Sequence, residues 1–223
     1  MSPFQSVQAI LFDLDGTLID SAPSILRCFG EVLNEIGIPP LVPLNNSLIG
    51  PPLKKTLQMI TGLDNMEQLD LLVARFKRVY DTSGYLETHV YAGVEEMLAS
   101  LHARGIPLAI ATNKRRIPTL KIVKHLGWDS SFQLIGSLDT PASAHADKAS
   151  LIASMLEELS LHPAATLYVG DKHDDGLAAQ ANNMPFAAVA WGYGVWDDAA
   201  MPDGWRLLKD PVHLAEKWDE STA

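Results

Sequence analysis

The chain has 223 residues, 47% hydrophobic and 20% charged, with 17 Lys and Arg against 27 Asp and Glu for a formal net charge of −10. That length allows one large domain or a domain with a sizeable insertion, and the apolar fraction belongs to a protein with a real core, which excludes a disordered chain. The acidic balance argues against a general polyanion binder, so no nucleic-acid partner is expected.

In chain order, residues 9–12 read as a strand buried on both faces. No basic segment precedes this run, Asp13 and Asp15 interrupt it, and no stretch approaches the roughly 18 apolar residues of a membrane span, so a cytoplasmic protein with no membrane partner is expected. Residues 21–87 then show no strand pattern. Ile25, Phe29, Val32, Leu33 and Ile36 fall at helical spacing, as do Leu69, Leu72, Val73, Phe76 and Val79, with Ser21 placed to cap the first helix and Pro23 in its first turn. Cys28, the one cysteine, reads as a small buried hydrophobe and excludes a disulfide framework or a cysteine-rich zinc site. Asn45-Asn46-Ser47 reads as a polar loop inside a Pro-rich loop over 39–52.

Beyond residue 87 the pattern alternates. Helices are predicted over 94–103, 119–126, 148–159 and 176–182, and strands over 106–111, 132–135, 166–169 and 186–190, with Gly105 and Gly127 as left-handed helix ends. The fold class is therefore α/β, a doubly wound, Rossmann-like parallel sheet interrupted after its first strand by an all-helical insertion.

Chemistry concentrates at predicted strand ends. In Ile10-Leu11-Phe12-Asp13-Leu14-Asp15-Gly16-Thr17 a buried strand stops at two aspartates, where open α/β sheets bind ligands. Two carboxylates ~4 Å apart repel by about 4 kcal/mol at an effective dielectric near 20, so a divalent cation is their natural partner, and an all-oxygen donor set points to Mg²⁺. An Asp-Gly turn accounts for Asp15-Gly16 but not for Asp13. A second acidic group, Asp171, Asp174 and Asp175, follows another strand; Asp174 and Asp175 also suit a helix N-terminus. Thr112-Asn113-Lys114 ends a third strand with groups suited to phosphoryl oxygens, and Lys148 opens a helix against the sense of its dipole.

These motifs, in this order, resemble the haloacid dehalogenase superfamily, and within it the phosphoglycolate phosphatase-like branch: Asp13-Leu14-Asp15-Gly16-Thr17, Thr112, Lys148, then Gly170-Asp171 with Asp175. The resemblance covers nearly the whole chain, including Val90-Tyr91-Ala92-Gly93-Val94 and Trp191-Gly192-Tyr193-Gly194. It implies a core of residues 1–20 and 88–223, a helical cap over 21–87, and hinges near Asp20–Ser21 and Thr88–His89. It further implies a Mg²⁺-dependent phosphatase acting on a small phosphorylated metabolite, with Asp13 as nucleophile and Asp15 as acid and base. Mg²⁺ would be held by Asp13, the Asp15 carbonyl and Asp171, with Asp175 nearby, while Thr112, Asn113 and Lys148 bind the phosphoryl group. Lys172-His173 after the fourth motif and Ala149 after Lys148 depart from the family pattern.

A phosphomutase of the same fold and a phospho-acceptor signalling module are the alternatives; the latter places its acceptor on a later strand and lacks such an insertion. Candidate substrate contacts are Arg27, Lys54, Lys55, Arg75 and Arg78 of the insertion, the loop Gly50-Pro51-Pro52-Leu53, and Lys114 toward a substrate carboxylate. Oligomeric state is not legible in the sequence.

Overall fold

The apolar run Ala9–Phe12 becomes β1 in a computed structural model that describes residues 7–140 and 145–219. Its residues alternate between two cores: Ile10 and Phe12 join one apolar cluster and Leu11 the other. After β2 (Ile19–Asp20) come three helices, α1 (Ala22–Ile36), α2 (Leu53–Thr61) and α3 (Met66–Tyr80), and then β3 (His89–Val90). From there helix and strand alternate: α4 (Val94–Ala103), β4 (Leu108–Thr112), α5 (Arg116–His125), β5 (Leu134–Ser137), α6 (Lys148–Glu158), β6 (Thr166–Gly170), α7 (His173–Ala181), β7 (Phe186–Val189), β8 (Trp205–Leu208) and α8 (Val212–Asp219).

Six strands form one parallel sheet in the order β5-β4-β1-β6-β7-β8. Apolar residues of α4, α5 and α8 cover one face, among them Met97, Ile122 and Leu214; the other face is covered from α6 and α7 by Leu151, Met155 and Ala179. This is the α/β, Rossmann-like architecture expected from the alternation. Helices α1 to α3 build a third cluster of their own around Phe29, Leu33, Leu57, Leu72 and Phe76, each such burial contributing about 1.5–3 kcal/mol. β2 and β3 pair antiparallel, Asp20 opposite His89, and so tie the two chain crossings between the helical segment and the sheet. Among the described residues no helix is long and apolar enough to cross a membrane.

Several boundaries differ from the sequence reading. β5 lies two residues later than predicted because Phe132 turns to pack edge-on against Trp128, and β4 starts at Leu108 because Ile106 still bonds to the end of α4. α5 begins at Arg116, accommodating Pro118 in its first turn, and α7 begins at His173, which places Asp174 and Asp175 in a helical first turn. α2, β2, β3, β8 and α8 were not predicted. Ser21 occupies the cap position of α1, but its side chain makes no capping bond. The Tyr193 hydroxyl takes over, accepting from Ser21 N at 2.8 Å and Ala22 N at 2.9 Å. Of the expected core, residues 1–6, 141–144 and 220–223 lie outside the described residues.

Candidate active site

β1 runs between β4 and β6, and Phe12 stands opposite both Ile110 and Val169, so three strand ends lie side by side. Asp13 follows β1, Thr112 closes β4, and Asp171 follows β6. Asp13 N donates to Val169 O at 2.9 Å, extending the ladder by one residue and holding the first carboxylate at the edge. The turn that follows depends on Gly16: its φ is +85°, and a Cβ there would meet the Asp171 carboxylate and stand 2.7 Å from the Tyr193 ring.

Asp13, Asp171 and Asp175 are all buried, and one oxygen from each lies within 4.8 Å of the others. Lys148, at the first position of α6, reaches Asp13 Oδ2 at 3.1 Å and Asp175 Oδ1 at 2.5 Å. Its helix is capped by Asp147 and Ser150, so the cation is presented from a fixed terminus. Asp175 Oδ2 accepts from Lys172 N at 2.9 Å and Asp171 Oδ2 from Tyr193 N at 2.8 Å, whereas Asp13 Oδ1 is buried without a partner.

Three carboxylates against one ammonium leave this cluster two charges short of neutral. The cost is visible in the acids: burial pushes Asp13 up to about 6, opposed by Lys148 and reinforced by Asp175 and Asp15. Burial also raises Asp171 to about 7, with Asp175 and Asp13 adding to it. For Lys148 burial works against the charge, but Asp13 and Asp175 outweigh it and hold the ammonium well above its ordinary range. An orphaned carboxylate oxygen, an all-oxygen donor set and two unbalanced negative charges fit a hard divalent cation.

Asp15 faces a different set of groups. Its Oδ1 accepts from Ser21 Oγ at 2.5 Å and from Lys114 Nζ at 2.8 Å, and Lys114 lies 3.2 Å from Oδ2. Burial disfavours the Lys114 ammonium, yet Asp15 more than reverses this and keeps it charged. Lys114, which the sequence suggested for a substrate carboxylate, lines the cavity and is paired with a carboxylate of the chain.

Asp13, Asp15 and Thr112 line the floor of a cavity of about 70 Å³ whose far wall comes from the helical segment. The loop at Gly50 and Pro51 reaches it, as the sequence suggested. Asn113 also lines it, with its side-chain amide donating to Gly50 O at 3.1 Å and its Oδ1 buried without a partner. Lys172 donates to Ile49 O from the other side. By contrast, Arg27, Lys54, Lys55, Arg75 and Arg78 do not line the cavity; all but Lys55, which is exposed, pair on the surface with Glu31 and Glu87, Asp70, or Glu35. His173 packs against Trp205, its ring 5.0 Å away.

Asp13, Asp15, Thr112, Asn113, Lys148, Asp171 and Asp175 thus come to one sheet edge. Sequence reasoning missed the roles of Ser21, Lys114 and Tyr193. For Tyr193 a signal existed in Gly192 and Gly194, where a Cβ would run into Asp171: side glycines mark a loop pressed against the acidic cluster. A carboxylate with one free oxygen beside a lysine, and a second carboxylate two residues on, are equipped for nucleophilic attack and proton transfer on one substrate.

Residues 10–189 match the family model of haloacid dehalogenase-like hydrolases. The chain belongs to that family. It is 34% identical over 194 residues to "Tyrosine-protein kinase PtkA" of Mycobacterium tuberculosis, covering 86% of this chain but only 65% of that relative's length. It is 30% identical over 213 residues to "Phosphoglycolate phosphatase" of Xanthomonas campestris pv. campestris, covering 94% and 95% of the two chains. The crystal structure of a predicted phosphatase from Clostridium acetobutylicum superposes with a TM-score of 0.82 at 28% identity, over 96% of this chain and 99% of the other.

Proposed function

We propose that this haloacid dehalogenase-like hydrolase is a Mg²⁺-dependent phosphatase of small phosphomonoesters, with residues 21–87 as a cap over a core of 1–20 and 88–223. The observation that carries this reading is Asp13: a buried carboxylate at the cavity, with one oxygen 3.1 Å from Lys148 and the other without a protein partner, clustered with Asp171 and Asp175. Asp13 and Asp171 would hold the cation together with the Asp15 carbonyl. Asp175 anchors Lys148 through one oxygen and the turn before α7 through the other. When bound, the cation neutralises the cluster and supplies Lewis-acid stabilisation to phosphoryl oxygens.

The residues of the chain divide the reaction between them. Asp13 attacks phosphorus in line through one carboxylate oxygen, forming an aspartyl phosphate as the bond to the leaving oxygen breaks. Asp15 gives that oxygen a proton, and Lys114 neutralises the carboxylate left behind. Asp15 then takes a proton from the water that releases phosphate from Asp13. Thr112 and Asn113 orient the transferring group at the floor of the cavity, and Lys148 offsets its charge. The cap excludes bulk water from this space.

A phosphate-release assay across small phosphomonoesters, with and without chelator, tests this reading: activity should require Mg²⁺ and vanish in Asp13→Asn. Robust turnover by that variant would contradict the covalent assignment, and an isomerised phosphate ester as product would point to a mutase.

A further inference from the structure

We propose that the cavity selects phosphomonoesters with an uncharged, mainly apolar leaving group and rejects those carrying a second anionic group, phosphoglycolate included; this rests on the phosphatase reading above. The argument begins with the cations. Two basic side chains from the core line the cavity, Lys114 and Arg115, and both are already committed. Lys114 is paired with Asp15, its ammonium also 4.9 Å above the Tyr80 ring; Arg115 holds Asp81 with both terminal nitrogens, one bond of 2.8 Å. The basic residues of the helical segment are spent on surface pairs or point elsewhere.

What remains of the wall is apolar. Phe29, Phe76 and Tyr80 form a run of rings, centroids 4.7 and 5.4 Å apart, continued by Ile25, Leu48 and Ile49. An additional carboxylate on the substrate would lose its water here against an apolar wall whose two cations already face Asp15 and Asp81. Two polar atoms qualify the apolar character. Tyr80 Oη and Asn113 Oδ1 are both buried without protein partners and both belong to residues lining the cavity. The orientation of the Asn113 amide is set by its bond to Gly50 O, which leaves its oxygen as an acceptor. A neutral leaving group carrying one hydroxyl would satisfy them, whereas a carboxylate could not donate to Asn113 Oδ1.

The experiment compares kcat/KM within matched pairs: propyl phosphate against phosphoglycolate, and phenyl phosphate against para-carboxyphenyl phosphate. The uncharged member of each pair should be favoured by about tenfold or more, and parity or preference for the carboxylated member in either pair overturns the proposal. If no ester is hydrolysed, including the activated para-nitrophenyl phosphate, the phosphatase reading fails by itself. The charge preference is then read from calorimetric binding of the same pairs to Asp13→Asn: tighter binding of the uncharged members supports it, and equal or tighter binding of the carboxylated ones overturns it. Ile25→Lys, which adds an unpaired cation to the wall, should narrow the ratio between members of each pair; an unchanged ratio counts against the charge argument.

Discussion

Lys114 Nζ lies 2.8 Å from one carboxylate oxygen of Asp15 and 3.2 Å from the other, joining residues 99 positions apart with side chains almost wholly shielded from water. Removing the cation leaves a buried carboxylate uncompensated at the position proposed for proton transfer. Lys114→Met should therefore lower kcat by about 10²–10³ with little change in KM. Lys114→Arg should not fully restore it, because the bulkier guanidinium presents its donors in a fixed planar fork where Asp15 meets a compact ammonium. Steady-state kinetics with circular dichroism separate this from loss of fold, and a pure KM effect would remove Lys114 from the proton-transfer machinery.

Unfolded aspartates titrate near 3.9, whereas Asp13 and Asp171 are pushed up to about 6 and about 7 in the native chain. Across that window the native state holds more protons than the unfolded one. Without a divalent cation these groups therefore reduce stability as pH rises from about 4, the loss being complete above about 7. Added Mg²⁺ should raise Tm more at about pH 8 than at about pH 5. Asp171→Asn should lose most of that gain and, without cation at the higher pH, should melt above wild type, since it removes a repelling charge. A Mg²⁺ response equal to wild type would exclude Asp171 as a ligand.

Tyr193 accepts two backbone bonds at the start of α1 and donates to Asp20 Oδ1 at 2.9 Å. Tyr193→Phe deletes all three while keeping the ring, and thermal or urea unfolding should show a loss of about 0.5–2 kcal/mol, the range for a lost helix cap. Ser21→Ala should act in the opposite proportion: a small change in stability, because its side chain does not cap, and a measurable fall in kcat through its bond to Asp15. Equal stability losses in the two variants would contradict this division.

Cys28 is buried in the cluster of α1, α2 and α3, and burial pushes its thiol up to about 11 despite the pull of Arg27. At about pH 8 roughly one thiol in a thousand is then ionised. Iodoacetamide should leave the native protein unmodified over a period in which the urea-unfolded chain reacts fully, as followed by mass spectrometry. Rapid native labelling would mean that the helical cluster opens readily.

Much of this site was legible because its chemistry sits at strand ends. An apolar run that stops at Asp13, a strand closing on Thr112 and another leading to Asp171 follow from the alternation of apolar runs, and the family resemblance tied them to one another and to Lys148. The groups that complete the site obey no local pattern. Tyr193 reaches Ser21 across 172 residues, and the pairing of Lys114 with Asp15 was hidden because nothing near residue 114 in the chain indicates which acid it meets. Short elements were hidden for another reason. β2 and β3 have two residues each, too few for a period, and β8 is an edge strand with Arg206 exposed in its middle.

The bonds from Asn113 and Lys172 to the loop at 49 and 50 end on main-chain oxygens. Side-chain identity at position 49 is irrelevant to that grip, although Ile49 itself looks into the cavity. Gly50, held at φ +113° with its missing Cβ 3.3 Å from the Lys172 ammonium, is the position that must stay. Holding the loop and lining the cavity thus fall to different atoms of neighbouring residues, so that a new side chain at 49 changes the wall and leaves both main-chain bonds in place.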